Sequence, residues 1–158
     1  MLVVQAVALA CVAVWMTVAV RDNWQHPDLN LDAIAMVMRL DLMERDWPED
    51  YVQVAHRRVT EPRIHKLAFR AVVTAETLAA AALWISALLL LLSAGGAVAA
   101  EIAKAAAALS LVWFVAIWAG FIAGGNYFCY WYCHHSSQTT HYFLLLWGLL
   151  TLILVAVA

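Results

Sequence analysis

Four long apolar runs set the pattern of the chain, at about residues 1–20, 67–92, 102–123 and 142–158. A helix that crosses the hydrocarbon core of a bilayer needs about 20 mostly apolar residues. Each run approaches that length, and the fourth is at the short end of the range. The pattern therefore predicts an all-α fold, a bundle of four transmembrane helices.

The first run lies where a signal peptide would lie. It has no basic segment before its apolar stretch and no obvious small-residue cleavage site before Arg21, features that a signal peptide usually shows. We interpret it as a retained span, and we expect residues 1–158 to form a single integral membrane domain.

Four spans place both termini on one side of the membrane, so that residues 21–66 and 124–141 share the other side. The opposite side then carries only the termini and the short Ser93–Glu101 connection. All the histidines fall in the two shared segments or at helix ends that open toward them: His26, His56, His65, His134, His135 and His141.

Residues 21–66 do not have the pattern of an irregular linker. Apolar residues recur there at helical spacing, with Asn30 as a plausible N-cap, and Trp47-Pro48 should end the helix. A second short helix is expected over 51–59, and Thr60 and Pro62 fit the start of the second span. The segment thus predicts an extramembrane amphipathic-helix cap between helices 1 and 2. The spaced apolar residues are Leu31, Ile34, Ala35, Met38 and Leu42.

Composition supports a membrane protein and excludes several functions. Hydrophobic residues make up 66% of the chain and charged residues 13%, whereas a soluble domain has about 25% charged residues. The net charge of -2 provides no basic surface for nucleic acid. The sequence has no glycine-rich phosphate loop, nucleophile elbow or H-E-x-x-H motif, so we expect no catalysis.

The segment 126–143 combines soft metal ligands with aromatic residues and contains no Asp, Glu, Lys or Arg. Thiolate and imidazole suit copper or zinc, and on a continuing helix the two cysteines, four residues apart, would share a face. The alternative is an aromatic membrane interface in which these residues are incidental. The candidate metal ligands are Cys129, Cys133, His134, His135 and His141.

Three further features are candidates for function. Glu76 is the carboxylate well inside a span, near the expected midplane, and such a group is either functional or a neutral contact between helices. His65 and His141 stand at span ends on one side, where they are candidates to ligate haem b or, with Glu76, to contact a quinone. The small residues Ala116, Gly120 and Gly124 form a ridge suited to close helix packing, within the bundle or against another subunit.

Short motifs spread over most of the chain also resemble a known family. They comprise Asn23, Asp41, Trp47-Pro48, Val59-Thr60-Glu61-Pro62-Arg63-Ile64-His65, Thr74-Ala75-Glu76 and Gly124-Gly125-Asn126-Tyr127-Phe128. They are similar to motifs of a family of small bacterial integral membrane proteins, domain of unknown function 2165. The resemblance implies four spans in the bacterial inner membrane, with the motif-bearing loops in the periplasm, and it implies no particular reaction.

The charge pattern gives the opposite orientation. All Lys and Arg residues except Lys104 lie in or just after the first loop, which the positive-inside rule would place in the cytoplasm. We favour the family orientation. The chain also departs from the family, since its Cys-x-x-x-Cys-His-His segment replaces a tryptophan- and glutamine-rich stretch.

These observations lead to one favoured function and two alternatives. The favoured one is an accessory or structural subunit of a larger membrane complex, of electron-transfer, photosynthetic or oxygenase type, in contact with lipid and other membrane subunits. The first alternative is a copper- or zinc-binding membrane protein. The weaker alternative is a haem-b or quinone-binding redox protein. In each case residues 21–66 are expected to fold over residues 126–141.

Overall fold

The computed structural model describes residues 1–157, and every regular element within them is helical. Four of the helices are long and apolar enough to cross a membrane, which confirms the all-α four-span fold. These are α1, α5, α6 and α8. In chain order the elements are α1 Leu2–Gln25, α2 Pro27–Met38, α3 Asp41–Asp46, α4 Pro48–Val54, a 3-10 turn Ala55–Arg57, α5 Pro62–Ala94, α6 Ala100–Tyr127, α7 Tyr130–Cys133 and α8 His135–Val157.

The four spans pack in the order α1, α5, α6, α8, and α1 contacts α8 less extensively than the other neighbouring spans contact each other. Leu9, Leu83 and Phe114 are completely buried between them. The closest approach of α6 and α8 depends on Gly148, because a Cβ there would lie 2.7 Å from Cγ2 of Val115. The core is therefore continuous through the bundle, and α6 and α8 pack closely at Gly148.

The start of α1 and the end of α8 lie together. The Nε2 of Gln5, a fully buried residue, donates to the carbonyl oxygens of Leu154 at 3.2 Å and Val155 at 3.3 Å. The two ends of the chain therefore share one side of the bundle, as four spans require, and the cap lies at the other end.

The spans extend beyond the expected apolar runs on the cap side. Helix α5 begins at Pro62 rather than 67 and has 33 residues. At 1.5 Å per residue this is about 50 Å, longer than a ~30 Å hydrocarbon core. Its first turns carry Arg63 and Lys66, which continue the helix into the polar region. Pro62 holds the first helical position as expected, whereas the N-cap is Glu61, so the prediction for Thr60 is wrong.

The cap is divided into shorter helices than its apolar spacing predicts. Helix α2 begins at Pro27, so Asn30 lies inside the helix and does not cap it. Leu40 has a left-handed backbone with a φ of 57° and separates α2 from α3. Helix α3 ends before Trp47-Pro48 as expected.

The segment after α6 is also broken, because Cys129 has a left-handed φ of 62°. The continuing helix on which the two cysteines would share a face is therefore not formed. Cys129, Leu40 and Met43 are each 2% exposed and form one small buried cluster. The rings of Trp47 and Tyr132 lie 5.3 Å apart beside it. This cluster joins the cap to the segment between α6 and α8.

Candidate functional site

A cavity of about 490 Å³ lies beneath the cap, between the cap-side ends of the four spans. Helix α2 forms one wall, and the end of α1, the middle of α5, α6 and the segment 130–141 form the others. The cavity has both polar and apolar walls. Its polar lining residues are Asp22, Asn23, Asn30, Glu76, Tyr130, His134, Ser137 and His141.

A hydrogen bond between α1 and α5 lies in the cavity wall. The Nδ2 of Asn23 donates to Oε2 of Glu76 at 2.7 Å, and Glu76 is 4% exposed. Next to it, Nε1 of Trp24 donates to Oγ1 of Thr77 at 3.2 Å. Since α1 ends at Gln25, Glu76 lies level with the cap-side end of α1.

The charge of the cavity lining is acidic. Glu76 lies in the wall, and the exposed Asp22 lies among the lining residues at the end of α1. No Lys or Arg is among the residues that line the cavity within 1–157. A buried carboxylate is costly unless a positive charge or several hydrogen bonds compensate it. In this cavity the protein supplies the amide of Asn23 and no cationic side chain.

Aromatic rings from α6 and from the segment that follows it form another wall of the cavity. The ring of Phe121 lies 5.5 Å from that of Trp118 and 4.9 Å from that of His141, measured between centroids. Tyr130 continues the row, 5.8 Å from His141 and 5.2 Å from His134. These packed rings give the cavity one rigid, largely apolar wall.

Two polar atoms of that wall have no hydrogen-bond partner within residues 1–157. They are Nε1 of Trp118, a side chain that is 3% exposed, and Nδ1 of His141. Buried donors and acceptors are nearly always paired, so each such atom requires an explanation. Both residues line the same cavity, although these two nitrogen atoms are themselves shielded from solvent.

Burial controls the protonation of two cavity-lining groups in the segment between α6 and α8. It lowers the pKa of His134 and raises the pKa of Tyr130. At neutral pH the imidazole of His134 is therefore uncharged, and the phenol of Tyr130 keeps its proton. Neither group neutralises Glu76.

The five candidate metal ligands are distributed over different environments. Cys129 lies in the small cluster beneath the cap, and Sγ of Cys133 lies 3.9 Å from Sδ of Met43. His134 and His141 line the cavity, whereas His135 is exposed. Burial raises the pKa of both thiols. In the part of the chain that the structure describes, no three His, Cys, Asp or Glu side chains are grouped to hold a metal ion.

His65 and His141, the candidate haem ligands, do not line one cavity. His65 is 3% exposed, and its Nε2 lies 2.8 Å from the carbonyl oxygen of Val59. A carbonyl only accepts, so this nitrogen carries the proton and donates. The Nδ1 of His65 alone is then free for a ligand. Haem or quinone binding stays a prediction.

An apolar groove of about 410 Å³ adjoins the cavity. The ridge Ala116, Gly120 and Gly124 forms one side of it, and α5 forms the other with a second row of small residues. A Cβ added at Gly120 or Gly124 would meet nothing within 4 Å. The ridge therefore faces open space and is not packed against a neighbouring helix of this chain. The small residues from α5 are Ala68, Ala71 and Ala75.

The structure adds residues that the sequence pattern did not single out. Trp118 lies with Phe114 and Phe121 at helical spacing, so periodicity was a signal for a buried aromatic face. The contact of Asn23 with Glu76 had no such signal, because the residues are 53 positions apart. The amide pair Gln138 and Asn126, with Nε2 and Oδ1 2.5 Å apart, likewise depends on the meeting of two helices.

The fold and cavity together define an integral membrane protein with four apolar helices and a helical cap at one end. A family model described as "Predicted small integral membrane protein (DUF2165)" matches residues 1–158, and the chain belongs to that family. This confirms the resemblance drawn from the short motifs. No curated protein and no solved structure matches the chain.

Proposed function

We propose that the protein is a small accessory subunit of a larger membrane complex, with no catalysis of its own. The observation that supports this most directly is the open groove between α5 and α6. Its two rows of small residues expose backbone over a length of helix, and the ridge Ala116, Gly120 and Gly124 contacts no other helix of the chain.

The proposed occupant of the groove is one transmembrane helix of a different subunit. Inside a bilayer, helices associate by van der Waals packing, and small residues let two backbones approach closely. A lipid chain gains the same contacts but is ordered at an entropic cost. Because the small residues come from two neighbouring spans, they form a concave surface that suits a single helix.

The experiment compares two alanine-to-leucine variants on the same helix. Ala116 lines the groove, whereas Ala105 is exposed on α6 outside it. Tagged protein is purified in mild detergent from its native membrane, and co-purified subunits are quantified. We expect Ala116→Leu to lose most of the partner, since the added side chain fills the groove, and Ala105→Leu to retain it.

Two results would contradict the accessory role. One is wild-type protein that purifies only as a monomer or as copies of itself. The other is an equal yield of partner from both leucine variants, which would place the interface elsewhere or leave the groove to lipid.

The alternative function with a specific observation in its favour is copper binding. The sulfur atoms of Cys133 and Met43 lie 3.9 Å apart, and Cys129 belongs to the same buried cluster. Thiolate and thioether are the soft ligands that Cu(I) prefers. A zinc site would need further nitrogen or oxygen ligands. The raised thiol pKa values oppose binding, so a metal would have to displace both protons.

Metal analysis of the purified protein tests this alternative. If the cluster binds Cu(I), the wild type carries about one equivalent, which the Cys129→Ser/Cys133→Ser variant loses. The single variant Cys11→Ser, at an exposed cysteine of α1, is the matched control and should keep the metal. Equal copper content in wild type and the double variant would exclude the cluster.

A further inference from the structure

The cavity beneath the cap has a chemical character that an accessory role does not use. It places the carboxyl group of Glu76, 4% exposed, in a wall without any lysine or arginine. It is also lined by the ring of Trp118, a side chain that is 3% exposed. Two independent features, the carboxyl group and the aromatic wall, therefore meet in one space.

The charges in the cavity select the sign of a ligand. An anion would meet Glu76 and Asp22 with no basic side chain to compensate it, and like charges in a region of low dielectric repel strongly. A cation would supply the positive partner that the buried carboxylate of Glu76 lacks. The nearby His134 does not compete for this role, because burial lowers its pKa and keeps it neutral.

The rings favour the same sign of charge. A cation near the face of Trp, Tyr or Phe is attracted by the negative face of the ring, more strongly where water is excluded. Trp118, Phe121 and Tyr130 all line the cavity, and Phe69 on α5 joins them. A volume of about 490 Å³ lies in the usual range of about 300–1,000 Å³ for small-molecule sites.

We propose that this cavity binds a hydrophobic organic cation, an ammonium or related onium group that carries an apolar body. Glu76, oriented by the amide of Asn23, meets the charge, and the rings of α6 and Tyr130 cover the apolar body. This site adjoins the groove proposed for partner docking, and the two share lining residues. They are Ile34, Val37, Val72, Phe121 and Tyr130.

The ammonium group has two possible sources, a free amine or a lipid headgroup. Both share the chemistry that the cavity recognises. They differ in that a zwitterionic lipid also brings a phosphate close to Glu76 and Asp22. Competition by phosphatidylethanolamine, added as mixed micelles with the same detergent, distinguishes the two: displacement of a bound cation favours a headgroup, and no displacement favours a free amine.

The test uses two ions of the same shape and opposite charge, tetraphenylphosphonium and tetraphenylborate. Binding to the purified full-length protein in detergent is measured by equilibrium dialysis, with protein-free micelles subtracted. We expect the phosphonium to bind at least about tenfold more tightly than the borate, as a buried charge pair requires. This comparison needs only the wild type, so it does not depend on the folding of any variant.

A matched pair of variants then locates the site. Glu76→Gln removes the charge and keeps the shape, and Glu101→Gln makes the same change at an exposed position in the first turn of α6, at the other end of the bundle. We expect Glu76→Gln to weaken phosphonium binding by about tenfold or more, and Glu101→Gln to leave it unchanged. Trp118→Phe keeps the apolar ring and should bind the phosphonium nearly as well as the wild type.

Equal binding of the two ions by the wild type would overturn the proposal. An equal effect of the two glutamine variants would also overturn it, provided that both elute as single species and melt at similar temperatures. If Glu76→Gln does not fold, the comparison of the two ions decides. Loss of partner recovery in Ala116→Leu with intact phosphonium binding would show that the groove and the cavity act independently.

Discussion

Two adjacent glycines of α6 have different roles, although the sequence presents them as a pair. A Cβ at Gly125 would lie 2.6 Å from Cδ2 and 2.7 Å from Cγ of Tyr130, whereas a Cβ at Gly124 meets nothing within 4 Å. Gly125 therefore allows the ring of Tyr130 to rest on the helix and to line the cavity. Gly124 keeps the adjoining groove open.

This difference predicts opposite effects of the same substitution. Gly125→Ala should destabilise the protein by about 1–3 kcal/mol, because the ring has to move out of a packed position. Gly124→Ala should stabilise it by roughly 0.5–1 kcal/mol, because alanine has less backbone freedom to lose when the helix forms and its Cβ fits the open space. The measurement is the unfolding temperature of both variants in one detergent. Equal shifts of the same sign would contradict the assigned packing of Tyr130.

The residue types in the sequence indicated some of the residues that line the cavity, but not the contacts that they make. Glu76, His134 and His141 stood out because ionisable side chains are rare beside apolar runs. The partner of Glu76 is Asn23, which lies on the preceding span, 53 positions earlier in the chain. A hydrogen bond between two helices depends on their rotation about their own axes, and no local pattern fixes that rotation.

At the scale of elements, the two left-handed residues explain why the cap and the 128–134 segment depart from simple helices. Leu40 and Cys129 are neither Gly nor Asn, the residues that usually adopt this backbone. Both side chains are buried in the same cluster. Burial of apolar groups therefore offsets the local backbone cost, and a propensity-based prediction of continuous helix fails at both places.

The segment between α7 and α8 should weaken at mildly acidic pH. Burial lowers the pKa of His134 below its ordinary 6.5, so the unfolded chain binds a proton more readily than the folded one. The stability contributed by this residue is fully present above about pH 6.5, the ordinary pKa of histidine. It is lost as the pH falls below that value and through the lower pKa of the folded state. Protonation would place a positive charge on a half-buried imidazole, which has less hydration than in the unfolded chain.

Thermal unfolding between about pH 8 and about pH 5 checks this expectation. The unfolding temperature of His134→Gln should fall less over the acid part of the range than that of the wild type. His135→Gln, at the exposed neighbouring position, serves as the control and should follow the wild type. Glu76, Tyr130 and His141 line the same cavity, so the difference between variants is the decisive quantity. Parallel curves for all three proteins would refute it.

At the scale of the whole molecule, the sequence predicted the number of spans and the shared side of the two polar segments. This was possible because a spanning helix must satisfy a length and a hydropathy that can be counted along the chain. The cavity was not predictable in this way. It arises where residues 19–23, 30–37, 69–76 and 118–141 meet, and only the packing of four helices and the cap brings them together.

The buried amide of Gln5 also makes the environment of α1 depend on a distant part of the chain. Its acceptors, the carbonyl groups of Leu154 and Val155, follow it by 149 and 150 positions. Until α8 packs against α1, the amide nitrogen lacks both acceptors. A lone polar group in hydrocarbon is costly, so the docking of α8 removes part of that cost and ties the two helices together at a defined polar contact.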